Sequence, residues 1–586
     1  MYSEYEIRTV PLRLKSARTR VEQFLASCQL RLDAVDSYSV VYRLGEDTIL
    51  AGGGLKGNTI KCVAVNDELR GTGMMQRLIS HLLSEARAAG HDCVRVFTKP
   101  ENRDIFKSLG FRTLATAPQA IFMENGMPGI DAYLHQLEQK RQPGKNGIIV
   151  MNANPFTLGH QALVRWAASQ VDTLYVIAVS EDCSLFTAAE RLHMIERGCH
   201  QFSNVVVCPG SDYAISASTF PTYFLKRIDD ATDTQITLDL NLFVSHIARA
   251  LGATIRFAGS EPVDALTARY VALMQEQLPP CGIEVRVMPR IEVDNRIVSA
   301  TTVRKLLAAD RFAEATALVP PSTRPTLLSY MACQALQIEL DTTPKPGLVD
   351  KVDNGAHLDM NYTIMQRSIS ALRPALERLA LMGWNDTLPQ ADTVKAAGIE
   401  AETEMLKATG GVNTHRGALF SVGLTVIAAS HLLRKHNLIS LSRLQETIKR
   451  LATHLSQSHD SHGGQAVNHY RVNGALAMAQ KGYETLIHDW LPFYRSLDQD
   501  PWRCHKTLLH IMARLDDTNV IHRVGYERAQ QVKVEALALL SNFNPAALEE
   551  MNRRYIDENI SPGGAADMLS LTILVAAITC DNLETT

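Results

Sequence analysis

The sequence predicts a multidomain chain, with an α+β domain first, an α/β domain with a parallel sheet in the middle and an all-α domain last. Three observations predict it. Between about residues 147 and 319, apolar runs alternate with amphipathic helical patterns, which builds a parallel sheet covered by helices. Before that span strand-like and helix-like pieces are mixed. After Leu318 to Pro325 long helical stretches follow with hardly a strand. The expected domains are residues 1–126, 127–320 and 327–586, in line with the roughly three or four domains that the length allows.

Composition narrows the function classes. Hydrophobic residues make up 46% and charged residues 21%, as in an ordinary soluble globular protein. A formal net charge of −3 provides no general attraction to nucleic acid. The ten cysteines show no CxxC pair and no metal-finger spacing, which fits buried thiols in a reducing cytoplasm. Met1 to Glu6 lacks a basic region followed by an apolar core, so no export signal is expected. The run Leu569 to Cys580 is too short to span a bilayer and is expected to be a buried helix. A cytoplasmic protein without nucleic-acid or membrane partners follows as the expectation.

In the first domain, Thr48–Gly53, Thr59–Val65 and Val94–Thr98 are expected strands. Between the second and third, Arg70-Gly71-Thr72-Gly73 leads into a helix whose apolar face is Leu78, Ile79, Leu82 and Leu83. Backbone amides ahead of a helix bind phosphate, and Arg70, Gly71 and Gly73 are the candidates. This turn, with Asn102 to Phe111, resembles the GNAT acetyltransferases, so acetyl-CoA or CoA is the ligand expected there. Met75 departs from that family's preference for Gly or Ala. A docking or regulatory role is as open as acyl transfer.

Met127-Pro128-Gly129 and Gln139 to Gly147 flank one short helix and are expected to be a joint. In the middle domain, Ile148 to Met151 is a buried strand that runs into an Asn154-Pro155 turn. From Gly159 the pattern is helical, with Leu163, Val164, Trp166 and Ala167 on one face. A helix start offers unpaired N–H groups and a partial positive charge, Gly159 allows close approach, and His160 can donate to phosphoryl oxygens. Further on, Ser299, Thr301 and Arg304 combine capping hydroxyls with a cation entering a helix. Leu174–Val179, Val205–Cys208 and Thr254–Ala258 are the other strands. A doubly wound sheet would gather His160, Gly210, Ser211, Gly259 and Glu261 at its carboxyl edge.

The Asn154 to His160 stretch resembles the HxGH signature of the Rossmann-like nucleotidyltransferases, with Thr157 at the first His position. Adding Gly210-Ser211-Asp212-Tyr213, Ser218 to Lys226, Glu261-Pro262 and Ser299 to Thr301, residues 1–320 resemble citrate lyase ligase, where Thr157 is normal. The resemblance implies adenylation of acetate by ATP with magnesium, then acetyl transfer to the thiol of the citrate lyase acyl carrier protein. It implies His160 as catalytic, and Asn154, Thr157, Gly159, Ser211, Ser299, Thr301 and Arg304 as ATP contacts.

The last domain holds four polar islands: Thr342 to Met360, Gly411 to Gly417, Asp516 to Asn519 and Ile560 to Asp567. Each alone could be a helix cap or loop. Together they bring carboxylates and cations to helix ends, as a magnesium-polyphosphate pocket requires. As a set they resemble triphosphoribosyl-dephospho-CoA synthase, which joins ATP to dephospho-CoA with loss of adenine. The implied metal or base carboxylates are Asp350, Asp359, Asp516, Asp517 and Asp567, with Asp516 and Asp517 as catalytic candidates. Lys345, His415 and Arg416 are the implied phosphate contacts. One departure stands out: after Gly474-Ala475 the family has Arg-Gly-Glu, and this chain has Leu476-Ala477-Met478. The expected function is a fused enzyme serving citrate lyase. The equivalent pair for malonate decarboxylase, and a carrier-protein scaffold with an inactive last domain, are the alternatives.

Overall fold

The computed structural model describes residues 4–180, 185–215, 220, 228–260, 264–290, 292–293, 296–455 and 474–579. Glu261, Pro262, Cys580 and most of Ser218 to Lys226 therefore lie outside the described residues. By compactness the chain divides into two units, residues 1–154 with 159–297, and residues 155–158 with 298–586.

The first unit holds two sheets. The elements of the first are β1 (Tyr5–Val10), α1 (Lys15–Ser27), β2 (Ser37–Arg43), β3 (Ile49–Lys56), β4 (Thr59–Val65), α2 (Met74–Ala88), β5 (Cys93–Thr98), α3 (Arg103–Ser108), β6 (Arg112–Thr116) and β7 (Ile121–Gly126). The strand order is β1-β2-β3-β4-β5-β7-β6. The β4 and β5 strands run parallel and share register at Thr59↔Arg95 and Ile60↔Val96, beyond which they part. Helix α2 forms because Leu78, Ile79, Leu82, Leu83 and Ala86 recur on one face, and all five are buried. Gly71 (φ +76°) and Gly73 (φ +81°) make the turn before it in the left-handed region. Arg70 pairs with Asp67 at 2.9 Å on the surface.

The second sheet follows α4 (Gly129–Glu138). Its elements are β8 (Asn146–Met151), α5 (Leu158–Ala168), β9 (Thr173–Ala178), α6 (Ala188–Cys199), β10 (Val205–Cys208), α7 (Ile228–Leu242), α8 (Ala248–Leu251), β11 (Ala253–Gly259), α9 (Ala265–Gln277) and β12 (Glu284–Met288). The order is β10-β9-β8-β11-β12, with every pair parallel. Chain order reverses between β8 and β11, and that switch point is where open α/β sheets bind ligands.

The two sheets are not separate cores. Phe97 and Phe122 of the first pack with Tyr213, Phe220, Ala231 and Leu238 in one buried cluster, joined by Ile130 of α4. The expected joint at 127–129 thus sits between two parts that share a core. A buried polar knot accompanies it. Glu124 is fully buried and accepts from Arg112 (2.6 and 2.9 Å), from the Ile130 amide and from the Tyr213 hydroxyl at 2.6 Å. Replacing Tyr213 with Phe is expected to lower stability by about 1.5–3 kcal/mol, because a buried charged acceptor loses a donor. The measurement is the unfolding midpoint of the first unit, and an unchanged midpoint would show that the knot is dispensable.

The second unit is helical apart from loops. Its main helices are Arg324–Asp341, Tyr362–Gly383, Ala391–Thr409, Arg416–His436, Leu441–Ala452, Ala475–Gln480, Arg503–Met512, Thr518–Val524, Tyr526–Ser541, Pro545–Asp557 and Gly563–Ile578. Arg416–His436 is long and apolar enough to cross a membrane by length and composition, but 83% of its apolar window is buried in the protein. Gly563–Ile578 is apolar all round and nearly all buried, which makes both central helices of this unit. Residues 298–323 belong here through Ala300–Ala308, Phe312–Ala317 and two bonds to the 155–158 segment. In these, the Leu158 amide donates to the Leu318 carbonyl and the Thr323 hydroxyl to the Phe156 carbonyl, both at 3.0 Å.

Candidate functional site

In the first unit the site builds on the carboxyl end of β8. Ala153, buried in the turn after it, takes φ +48°, a left-handed conformation that costs a residue with a Cβ about 1–3 kcal/mol. Asn154 accepts from the Phe186 amide at 3.2 Å, which ties this turn to the start of α6. A fully buried Arg191 holds the strand ends together. It donates to the Asn152 side chain (2.6 Å), the Val179 carbonyl (2.6 Å) and the Phe186 carbonyl (3.1 Å). Helix α6 presents it there after a capping box between Thr187 and Glu190.

His160 lies in the first turn of α5, half-buried. Desolvation, then the charge of Arg290, lowers its pKa to about 4. Arg290 is fixed beyond the end of β12 by bonds to Ser260, its amide to the hydroxyl (3.1 Å) and its Nε to the carbonyl (3.0 Å). A neutral imidazole in the first turn of α5 and a guanidinium just past the carboxyl end of β12 are therefore within each other's electrostatic reach. Because the folded value is depressed, His160 takes up a proton only as pH falls toward 4, whereas an unfolded imidazole does so near 6.5. Its contribution to stability is present above 6.5 and lost as pH falls through about 4. The pH–rate profile of this unit is expected to show no imidazole limb near 6.5, with loss only toward 4. A limb centred on the ordinary value would refute this.

Ser211 accepts from the Tyr213 amide at 3.3 Å, in a loop that the first sheet anchors. Arg95 donates to the Asp212 carbonyl at 2.9 Å and stacks 4.0 Å over the Tyr213 ring. Ser299, Thr301 and Arg304 belong to the second unit. Ser299 caps Ala300–Ala308 through the Thr302 amide (3.0 Å), and Arg304 donates to the Thr301 hydroxyl (3.0 Å). Thr157 is buried within the 155–158 segment.

In the second unit a buried cluster of charged groups forms where helix ends meet. The Lys345 ammonium donates to Glu339 at 2.5 Å, and both are almost wholly buried. Desolvation raises Glu339 and the adjacent lysine opposes that. Burial, then the charges of Asp517 and Glu339, holds Asp567 well above the usual carboxylate range, and the Ala418 amide opposes that. Its Oδ2 lies only 2.0 Å from where a Cβ on Gly417 would sit, so a side chain there would have to displace the carboxylate. Asp517 is also raised by burial, yet its oxygens are in use: they accept from the Asn519 and Val520 amides at 2.9 and 3.4 Å and from the Ala565 amide at 2.9 Å. It caps the starts of two helices at once.

His415 joins the cluster. Thr414 donates to the Ser368 hydroxyl, which is hydrogen-bonded to His415 Nδ1, both contacts at 2.7 Å. Nε2 of His415 is buried and has no partner among the described residues. Desolvation, then Lys345, lowers this histidine to about 3. Asp350 is buried, but its carboxylate closes its own loop by accepting from the Lys345, Val352 and Asp353 amides. Beside that loop an open cleft of ≈ 370 Å³ is lined by residues that include Lys351, Asn354, Asn361 and Arg367. Asp359 is exposed, 4.0 Å from His357. Asp516, in the loop before Thr518–Val524, pairs with Lys533 at 2.9 Å, and Arg416 pairs with Glu402 at 3.1 Å, all four partly exposed.

Comparison with known proteins accounts for both units. The family model described as citrate lyase ligase C-terminal domain matches residues 146–327, and that described as ATP:dephospho-CoA triphosphoribosyl transferase matches residues 325–585. A [citrate [pro-3S]-lyase] ligase of Haemophilus influenzae is 40% identical over 310 residues, 52% of this chain and 92% of that protein. A Salmonella choleraesuis protein named as a probable 2-(5''-triphosphoribosyl)-3'-dephosphocoenzyme-A synthase is 34% identical over 267 residues, 42% of this chain and 88% of its own. The chain belongs to both families. It is a bifunctional enzyme, a citrate lyase ligase followed by a triphosphoribosyl-dephospho-CoA synthase. The crystal structure of Escherichia coli ElaA aligns with 21% of the chain and 99% of its own, at 17% identity and a TM-score of 0.18.

For the synthase part, the structure brings Lys345, His415, Asp517 and Asp567 together, and leaves Asp359, Asp516 and Arg416 outside the cluster. For the ligase part it adds Arg290 and Arg191, and for the synthase part Glu339, none of which the sequence reading singled out. Arg290 carried a signal in hindsight, a cation directly after a strand ending in Met288-Pro289. Glu339 and Arg191 carried none, since each looks like a solvated residue on an amphipathic helix.

Proposed function

We propose that the ligase part adenylates acetate with ATP, releasing pyrophosphate, and passes the acetyl group to the prosthetic-group thiol of the citrate lyase acyl carrier protein. The observation that carries this is His160, a neutral donor in the first turn of α5 under the influence of the half-buried Arg290 cation, at the switch point of a parallel sheet. Backbone amides of that helix start and Arg290 add to the stabilisation of charge on the α-phosphate, in the manner of a nucleotidyltransferase. Asn154, Thr157, Gly159 and Ser211 are proposed ATP contacts. Ser299, Thr301 and Arg304 are proposed as phosphate contacts on the strength of the sequence alone. The first sheet is proposed as a GNAT-like module for CoA or acetyl-CoA, supported by the Gly71–Gly73 turn and the parting of β4 from β5. A cytoplasmic location suits both reactions.

The synthase part is proposed to join ATP to dephospho-CoA with release of adenine. What supports the site is the cluster of Lys345, His415 and Asp567. Among the described residues no three His, Cys, Asp or Glu side chains are placed as a complete metal cage. Mg²⁺ keeps several waters and takes one or two carboxylates with substrate phosphates. Asp567, with Glu339 nearby, would hold it, and the ion would neutralise phosphate charge. The test is incubation of the full chain with ATP and either acetate or dephospho-CoA, scoring pyrophosphate and adenine separately. Acetate-dependent pyrophosphate and dephospho-CoA-dependent adenine are expected. A scaffold without catalysis would give neither.

A further inference from the structure

The open cleft of ≈ 370 Å³ in the second unit lies outside the buried cluster, and its volume is in the range of small-molecule sites. One wall is the loop 350–354, and the other is the start of the Tyr362–Gly383 helix with its cap, residues 361–367. The lining brings together two cations, Lys351 and Arg367, hydrogen-bonding groups of Asn354 and Thr363, and apolar surface of Val352 and Ile364. Arg367 is exposed, and among the described residues its guanidinium has no hydrogen-bond or ion-pair partner. Lys351 is held by Asp341 at 3.1 Å, and Asp341 also accepts from the Tyr362 hydroxyl at 2.7 Å.

The two acids of the cleft are already engaged. Asp350 accepts from the Lys345, Val352 and Asp353 amides, and Asp353 from the Gly355 amide at 2.8 Å and the Asn552 carboxamide at 2.9 Å. What remains for a ligand is the pair of cations with Asn354 and Thr363. That set suits a diphosphate with an amide-bearing arm better than a magnesium-triphosphate, which calls for free carboxylates and more positive charge. The open form of the cleft agrees, since a long arm that does not react can run along a surface. The cleft also adjoins the buried cluster. Asp350 accepts from the Lys345 amide at 3.0 Å, and Ser368, the residue after Arg367, is bonded to His415 at 2.7 Å. A nucleotide in the cleft is thus one loop away from a nucleotide at the cluster, as joining the two requires. We infer that this cleft is the dephospho-CoA subsite of the synthase, with Arg367 and Lys351 on the diphosphate and the amide arm along Val352 and Asn354. The inference rests on the synthase reading of this unit and gives its second substrate a place.

The experiment is Arg367→Ala in the full chain, with Arg367→Lys beside it. Adenine release is followed against dephospho-CoA at saturating ATP and against ATP at saturating dephospho-CoA. Binding of dephospho-CoA itself is measured by equilibrium dialysis. The expected result for the Ala variant is a roughly tenfold rise in the KM and the Kd for dephospho-CoA, the scale of one charge-assisted hydrogen bond. The kcat and the KM for ATP should not change, and the Lys variant should recover part of the affinity because the charge remains. An exposed arginine without a partner supports no contact of the fold, so the unfolding midpoint and acetate-dependent pyrophosphate formation should stay as in the wild type. A rise in the KM for ATP instead would give the cleft to ATP and overturn the inference. Unchanged constants for both substrates would overturn it as well. If the wild-type chain released no adenine, the synthase reading would fail, and dialysis would still decide the cleft. Binding of dephospho-CoA weakened by Arg367→Ala would support it, and equal or absent binding in both proteins would overturn it.

Discussion

Replacing His160 with Ala is expected to slow acetate-dependent pyrophosphate formation by about 10²–10³-fold, the usual cost of losing one donor to developing charge in the transition state. The imidazole is neutral at physiological pH because desolvation and Arg290 hold its pKa near 4, so it acts as a directed N–H donor and not as a mobile proton source. ATP binding should weaken much less, because the amides at the start of α5 remain in place. His160→Gln, which keeps a donor of similar reach, should recover part of the loss. Adenine release by the second unit is the internal control and should not change. Near-wild-type pyrophosphate formation in the Ala variant would remove His160 from the chemistry and with it the nucleotidyltransferase reading of the first unit.

The parts of this molecule that were legible in the sequence are those in which local pattern and burial agree. The central strands β8 and β9 are continuous apolar runs because parallel strands are covered on both faces. Edge strand β12, Glu284-Val285-Arg286-Val287-Met288, escaped notice because it alternates charge with apolar residues and reads as surface. The shared core of the first unit was invisible for another reason. It pairs Phe97 and Phe122 with Tyr213 and Phe220, residues a hundred positions apart, and no local pattern records such a contact. The polar islands of the second unit were legible as helix starts, but their division of labour was not. Asp517-Thr518-Asn519 has the composition of a cap, and a cap it is, for two helices. Nothing in the sequence indicated that Asp567, one turn into its own helix, would sit against Gly417 beside two other buried acids.

That division sets apart two carboxylates that look alike in sequence. Replacing Asp517 with Ala removes the acceptor for two helix starts, so about 2–4 kcal/mol of stability should be lost, whatever happens to catalysis. A loss of adenine release in that variant would carry no mechanistic weight. Asp567→Asn is the informative change. The amide keeps one oxygen for the Ala418 amide and removes the charge that burial opposes. Since the folded pKa of Asp567 is raised, its stabilising contribution is complete below 3.8 and is lost as pH rises through the folded value. The asparagine variant does not titrate. It should therefore match the wild type in acid and become relatively more stable as pH rises, while adenine release falls on the order of 10²–10³-fold. Magnesium supplies an independent reading. An ion held by Asp567 should raise the unfolding midpoint of the wild-type second unit and leave that of Asp567→Asn unmoved. Retained adenine release in a folded Asp567→Asn protein, or equal magnesium stabilisation of both proteins, would place the metal and the chemistry elsewhere in this unit.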